Sequence, residues 1–460
     1  MQLDRATKVA LFAMALGIFV VANDFTALSV ALPKMQQDLD ADLSTVQWVI
    51  NAYALVFGVL TVSGGRLADL LGRRRVFVIG AVVFGVFSLL AAVAPSAITL
   101  IIARAVMAVG GALMWPSALA LIFNLLPQER RGLAGGIVLG VAGLGNAAGP
   151  LIGGALTELA SWRWVLAVNV PIALLAIAVV LRVVPESSGE EEDRRFDYAG
   201  MALVSGSLVA LLVALDQTDA WGWGDSRVIA LFSISVVLMA GFVWRERLAG
   251  AIALIPRDVA ANRDFRIAAI SVLLMSMTFF TALVYVPQYL EHELGFSALG
   301  AGAGILPMML IFGVSSFAAG PLYERYGGRA VIVAGALCLP VGMALLSLAG
   351  VGSAYGVLIP GLAVLGVGVG LFYSSITTAA ISALDERRSG LAGGILYMLQ
   401  VAGGSVGLGL ATTIVTGDSL VDGIQTALRV SAGLAAIGLA VVLTGVHPQR
   451  AVPVTAPSGA

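Results

Sequence analysis

Fourteen apolar runs divide the chain. They lie near residues 9–30, 46–64, 76–94, 98–126, 132–157, 164–184, 198–215, 228–244, 267–290, 298–320, 330–350, 355–383, 390–416 and 427–446. A bilayer core about 30 Å thick takes about 20 residues of helix to cross. Inside it, every backbone N–H and C=O must be bonded within the chain. A succession of such runs therefore folds as a bundle of membrane-spanning helices. Charge supports this: 12% of the residues are charged, against roughly 25% in a soluble domain. The first run is too long for a cleavable leader and lacks a small-residue cleavage site, so it reads as the first span.

The 26 Lys and Arg residues give an orientation, because basic residues concentrate on the cytoplasmic side. With the N-terminus inside, 21 of them fall in inner loops, including Arg66, Arg73, Arg74, Arg325, Arg329 and Arg388. Only Lys34, Arg163, Arg227 and Arg429 fall in outer loops, and Arg104 lies within a span. Both termini are expected in the cytoplasm, which requires an even number of spans. Arg outnumbers Lys 24 to 2, a compositional hint of a bacterial source, so the expected place is a bacterial cell membrane. A net charge of −1 implies no nucleic-acid partner. The lipid bilayer is an expected partner, and the chain is expected to act as a monomer.

The chain also repeats itself. The pattern Gly-x-Leu-x-acid-x-x-Gly-x-Arg occurs at Gly65, Leu67, Asp69, Gly72 and Arg74, and again at Gly320, Leu322, Glu324, Gly327 and Arg329, an offset of 255. The segment from Glu129 to Ile137 returns from Glu386 to Ile395, with the pairs Glu129 and Glu386 257 apart. Two ordered matches at nearly one offset mean two halves of one architecture, the arrangement that alternating access uses. Spans 7 and 8 have no counterpart. The expected organisation is an N-terminal six-helix bundle over 1–184, a linker with two inserted helices over 185–262, and a C-terminal six-helix bundle over 263–446. A disordered tail is expected over 447–460. The acidic run at Glu190, Glu191, Glu192 and Asp193 reads as solvated linker.

Enzymatic readings fail on residue inventory. A phosphate-binding P-loop needs Gly-Lys followed by Ser or Thr, and neither Lys8 nor Lys34 follows a glycine. Transport would then be driven by a gradient. A metal site needs clustered His or Cys, and His292, His447 and Cys338 are far apart, so no metal and no cofactor is expected. Gly403-Gly404-Ser405-Val406-Gly407 fits a hydrolase pattern but lies inside a glycine-rich span with no suitable His, so it is set aside.

Asp24 carries the sharpest chemistry. A carboxylate deep in a span costs about 2.5–3.5 kcal/mol to insert, so it must face a cavity or a partner. Its protonation then answers to its surroundings. It reads as proton carrier, as anchor for a cation, or as a buried acid satisfied by hydroxyls and amides. Glu158, Asp216, Glu291 and Glu293 are weaker candidates at outer ends of spans, and His292 reads as a solvated loop residue. Arg104 is the one basic residue within a span, with Asp24 a possible partner; the alternative is a structural anchor between helices. The second half has Gly361 near the equivalent place, which assigns proton handling to the first half.

Gly145, Gly149 and Gly153 form a small-residue stripe that permits close helix contact. Pro150 removes a backbone hydrogen bond and favours a bend. The stripe reads either as a gate beside a cavity or as ordinary packing. Asp69, beside Arg73 and Arg74, is expected to cap span 13 near Ser389 and Gly390, since a helix N-terminus attracts a carboxylate. By pseudo-symmetry Glu324 should approach span 5 near Gly132. Such contacts would lock the inner face. Asp24, Asn51, Tyr53, Trp115, Tyr285, Phe372, Tyr373, Tyr397 and Gln400 are the candidates for the cavity wall, and each aromatic competes with a plain packing role.

Together these motifs resemble the major facilitator superfamily, specifically its fourteen-helix drug:proton antiporters. The segment from Gly65 to Arg74 is similar to the signature between helices 2 and 3. Asn23-Asp24-Phe25-Thr26 is similar to the helix 1 motif, Arg104 falls on the helix 4 arginine, and Gly145 to Gly154 resembles the antiporter motif of helix 5. Ser161-Trp162-Arg163-Trp164, Asn169-Val170-Pro171 and Phe196-Asp197-Tyr198-Ala199-Gly200 resemble landmarks around helices 6 and 7. One departure is Met107-Ala108, where the family usually carries Gln-Gly. The resemblance implies an all-α membrane fold with two pseudo-symmetric six-helix bundles plus two extra helices. It also implies export of amphipathic, often cationic, drugs in exchange for protons. A proton symporter and a non-transporting membrane sensor or scaffold are the rival classes.

Overall fold

A computed structural model describes residues 4–127, 130–186, 197–250, 253–415 and 420–446. The acidic run, Glu129 and the tail from His447 lie outside the described residues. Fourteen helices are long and apolar enough to cross a membrane, and no strand occurs among the described residues. They are α1 (Arg5–Ala27), α2 (Leu43–Leu71), α3 (Arg73–Ala92), α4 (Ala97–Leu125), α5 (Arg131–Leu159), α6 (Asn169–Val183, which completes its span with the preceding short helix Arg163–Ala167) and α7 (Tyr198–Trp221). Then follow α8 (Ser226–Ala249), α9 (Arg263–His292), α10 (Leu306–Tyr326), α11 (Gly328–Leu346), α12 (Leu358–Ser382), α13 (Ser389–Val415) and α14 (Leu420–Gly445).

Several of these helices start on a short polar residue that accepts from free N–H groups of the first turn. Asp4 accepts from the Thr7 N–H at 2.9 Å, and Asn262 accepts from the Phe265 N–H at 3.0 Å. The repeated motif lies on helix rather than in a loop. Gly65 to Leu71 form the last turns of α2, and Gly320 to Tyr326 those of α10. The helices stop at the motif's second glycine. Gly72 has φ 107° and Gly327 has φ 82°, a region that only glycine enters cheaply. The run expected over 298–320 is divided: a short separate helix, Ala298–Gly304, precedes α10.

The two halves meet through glycine. α2 packs on α13, and α5 packs on α10. At the end of the bundle that carries Arg73 and Arg74, hereafter the basic end, a methyl group on Gly390 would lie 2.8 Å from the Gly65 carbonyl oxygen. The mirrored pair behaves alike: a methyl on Gly320 would lie 2.9 Å from the Gly132 oxygen. α13 and α5 thus approach the opposite half with their first glycines and their own half with later ones. Gly145 on α5 would place a methyl 2.9 Å from the Phe19 oxygen of α1, and Gly403 on α13 faces Leu273 of α9.

The unpaired helices α7 and α8 lie outside this seam. α7 contacts both α2 and α13. Among its described residues Val204, Ser207, Leu208, Ala210, Ala214 and Thr218 are buried. Leu215 packs against Gly409 of α13, where a methyl would lie 2.9 Å from its Cδ2. α8 buries only Val228, Ser235 and Phe242, and holds α7 through the Ser207 hydroxyl, which donates to the Ser235 carbonyl at 2.8 Å. At the basic end, Arg245 pairs with Asp197 at 3.2 Å. Glu246 accepts from the N–H groups of Leu254 at 3.0 Å and Ile255 at 2.9 Å, fixing the chain that leads to α9.

Candidate functional site

Asp24 and Arg104 form an ion pair in the interior of the first half, with side chains 0% and 1% exposed. Each ion has further partners, as a buried charge requires. Asn169 Nδ2 of α6 donates to Asp24 Oδ1 at 3.1 Å and also reaches Ser88 Oγ of α3 at 3.2 Å. Arg104 Nε donates to the Val49 carbonyl of α2 at 3.1 Å, and Nη1 lies 3.4 Å from Met107 Sδ. One acid, one guanidinium, one amide and one hydroxyl thereby tie together α1, α2, α3, α4 and α6.

The same helix explains Pro150. Proline at position 150 cannot donate to the carbonyl four residues earlier, so the Asn146 oxygen is freed. Thr26 Oγ1 of α1 donates to it at 3.0 Å, two residues from Asp24. Gly149 makes room for this approach: its missing side chain would meet Thr26 and Ala27. Gly145, Gly149 and Pro150 therefore sit at the contact of α5 with α1, not on the seam between the halves. A second stripe of α5, Gly132, Gly136 and Gly143, faces α10 across the seam.

An aromatic layer separates the ion pair from a cleft between the halves. The Arg104 guanidinium lies 4.1 Å above the Tyr53 ring. Tyr53 stacks on Phe57 at 5.9 Å, and Phe25 meets both rings edge-on at 5.1 and 5.2 Å. Phe57 in turn touches Trp115 and Tyr397, at 6.2 and 5.1 Å. Beyond them lies a narrow, half-open cleft, with about 330 Å³ of space between its walls once the open solvent at its mouth is included. Trp115 and Leu119 of α4 and Val138 and Leu139 of α5 form one wall; Val272 of α9, Tyr373 and Thr377 of α12, and Tyr397 and Gln400 of α13 form the other.

Of the nine residues expected to line a cavity, Trp115, Tyr373, Tyr397 and Gln400 do so. Asp24 and Tyr53 lie behind the aromatic layer. Phe372, fully buried, points away because the cleft face of α12 carries Tyr373 and Thr377; its backbone packs on Gly335 of α11. The Tyr285 hydroxyl is 2.7 Å from Thr412 Oγ1, in the packing of α9 on α13. Asn51 is half-buried on α2 and not part of the cleft.

At the basic end Asp69 spans the seam. Its carboxylate accepts from the backbone N–H of Gly390 at 3.2 Å and of Leu391 at 2.9 Å, at the start of α13. Arg73 Nε and Nη2 donate to it at 3.0 and 2.9 Å. Glu324 makes the mirrored bond, accepting from the Leu133 N–H at the start of α5. The motif's last arginine acts within its own half. Arg74 Nη1 donates to the Val184 carbonyl after α6 at 3.1 Å, and Arg329 Nη2 to the Leu443 carbonyl in α14 at 3.2 Å.

Sequence reasoning left four participants without a role. Asn169 and Thr26 are polar residues in apolar runs, a signal available from the sequence. Phe57 follows Tyr53 by four residues and so shares its helix face. Glu186, which accepts from the N–H groups of Arg74 at 3.0 Å and Arg75 at 3.2 Å and so caps α3, is distant in sequence and gave no signal.

The family model "Major Facilitator Superfamily" matches residues 14–408 and 267–458. The tetracenomycin C resistance and export protein of Streptomyces glaucescens is 32% identical, over 90% of this chain and 77% of that protein. A puromycin resistance protein of Streptomyces alboniger is 36% identical over 86% of this chain and 80% of its own length. The cephamycin export protein of Amycolatopsis lactamdurans is 33% identical over 94% and 91%. Among solved structures, the human organic anion transporter MFSD10 superposes with a TM-score of 0.69 at 15% identity, covering 95% of this chain and all of that one.

Proposed function

Since the chain belongs to the major facilitator superfamily, we propose that it exports drug-like or antibiotic compounds in exchange for protons by alternating access. The observation that carries this reading is the Asp24–Arg104 pair, buried beside a cleft that draws its walls from both halves. Similar proteins named for resistance and export support the direction of transport. The bundles over 1–184 and 263–446 rock about the cleft, with the pair at 185–262 docked on one seam. The basic end faces the cytoplasm, and Asp69 with its mirror Glu324 holds that end shut while cargo leaves on the other side.

In this cycle Asp24 is the proton site. Ionised, it is held by Arg104 and Asn169. Protonation removes the charge that Arg104 balances, which loosens the tie among the five helices. Asp24 is then neutral and the first half can change its packing. Proton entry and cargo release need not share atoms; they share the packing of α1, α2 and α4.

The test is efflux from inverted membrane vesicles energised by a proton gradient, with a panel of fluorescent compounds. Wild type should accumulate dye and release protons from the lumen in step. Asp24→Asn, present in the membrane at wild-type amount, should lose gradient-driven accumulation. Undiminished proton-driven export in that variant removes Asp24 from the mechanism; cargo moving with the proton, not against it, makes the chain a symporter.

A further inference from the structure

The chemistry of the cleft says more than that it holds a drug, and we infer that its cargo is an uncharged, planar aromatic compound bearing carbonyl or hydroxyl groups, not an obligate cation. This rests on the export reading and narrows its substrate class.

The cleft offers rings and neutral hydrogen-bonding groups together. Trp115 and Tyr397 stand 4.9 Å apart at a tilt of 53°, and Tyr373 lies across from them on α12. Rings in this arrangement accept a flat apolar surface by stacking or edge contact. None of the eleven residues that form the cleft carries a charge.

Three of its polar groups lack a partner among the described residues: the Tyr397 hydroxyl, the Gln400 amide and the Thr377 hydroxyl. Thr377 is only 8% exposed. The neighbouring Tyr373 hydroxyl, by contrast, is bonded to Ser276 Oγ at 2.8 Å, and Thr378 donates to the Ser374 carbonyl at 2.8 Å. Polar groups enclosed in a protein normally find partners, and unpaired ones lining a cavity are satisfied by what fills it. Two hydroxyls and an amide supply donors and acceptors at once. Carbonyls and hydroxyls on a flat ring system complement them.

Charge disfavours a cationic cargo. A cation in the cleft gains attraction from Trp115 and Tyr397. It loses its water and meets no acid in the wall; of the deep carboxylates, Asp24 is neutralised by Arg104 and shut off by Phe25, Tyr53 and Phe57, and Asp69 is taken up by Arg73 and the N–H groups of Gly390 and Leu391. Desolvation of an unpaired ion outweighs contact with two rings.

Two fluorescent probes of one shape test this. Acridone is neutral and carries a carbonyl and an N–H; N-methylacridinium has the same three rings and a permanent charge. Binding to the full chain in lipid nanodiscs should favour acridone by at least about tenfold. Gln400→Leu and Thr377→Val should each weaken acridone roughly fivefold and leave N-methylacridinium unchanged. Gln400→Glu should reverse the preference. N-methylacridinium binding as tightly as acridone, equal losses for both probes in the variants, or no binding of either probe overturns the inference. Proton-driven efflux of ethidium without acridone binding sinks this inference and leaves export standing. Tight acridone binding with no proton-driven movement of any compound sinks export and leaves the site.

Discussion

Asp69→Asn isolates the bond across the seam at the basic end. The native carboxylate accepts from Gly390, Leu391 and twice from Arg73. An amide of the same shape keeps one accepting oxygen and turns an NH2 group toward one of those donors. The losses fall into two classes. Arg73 is on the same half as Asp69, so losing that pair weakens both conformations of the transporter alike. The Gly390 and Leu391 bonds exist only while α2 and α13 touch. One of these charge-assisted bonds is lost and the other loses its charge, about 2 kcal/mol in favour of the open basic end. That is about thirtyfold in the equilibrium between closed and open. A reporter cysteine at Leu396, which lines the cleft, would read it in a Cys338→Ser background that removes the chain's one native cysteine. A membrane-impermeant maleimide, offered to inverted vesicles, should label Leu396→Cys about thirtyfold faster when Asp69→Asn is added. Labelling within twofold of the parent would refute the idea that the carboxylate holds the seam.

Two further outcomes follow from buried groups left without partners. Asp24→Asn leaves the Arg104 charge alone in an interior where it is 0% exposed, and should cost about 3–5 kcal/mol. Adding Arg104→Met should restore most of that in thermal unfolding of the detergent-solubilised protein, and a double variant no more stable than the single contradicts the pairing. Thr26→Val keeps the shape of the side chain but orphans the Asn146 carbonyl, so it should cost about 1–3 kcal/mol, with Thr26→Ser recovering the loss. An unchanged melting temperature in Thr26→Val would show that water or a neighbour replaces the hydroxyl.

The fold was legible because the membrane simplifies the rules. Each span must satisfy its own backbone, so hydropathy alone delimits it, and the fourteen expected runs meet fourteen helices. The Asp69 contact was legible for a different reason: the motif recurs, so one copy names the target of the other. The glycine stripe of α5 was read only in part. Its spacing announced close approach but not to what, since Gly132 and Gly145 obey the same rule and face different helices. Long-range partners were the least legible. Arg74 and Glu186 lie 112 residues apart, and nothing in either segment declares the other. The cleft failed for a related reason. Aromatic residues in a span are as often packed inward as turned to a cavity, and the rotation that separates Phe372 from Tyr373 is a single residue on α12.

The halves repeat their backbone contacts but not their chemistry, and this asymmetry bears on coupling. Glycine pairs, capping carboxylates and terminal arginines are mirrored across the seam. In the proposed rocking motion these contacts set how the bundles slide, and the motion needs them on both sides. The interior is different. The first half encloses Asp24, Arg104 and Asn169, whereas the second places Gly361 near the position equivalent to Arg104 and bonds Ser276 to Tyr373 through neutral hydroxyls. A group that changes charge can bias packing only where its charge has a partner to lose. The first half has that partner, and the described interior of the second shows none. In the proposed cycle a proton acts on the five helices that this network ties together, and the mirrored backbone contacts pass the change to α13 and α10. Coupling then requires no titratable group in the cleft, which is consistent with walls made only of rings, apolar groups and neutral polar groups.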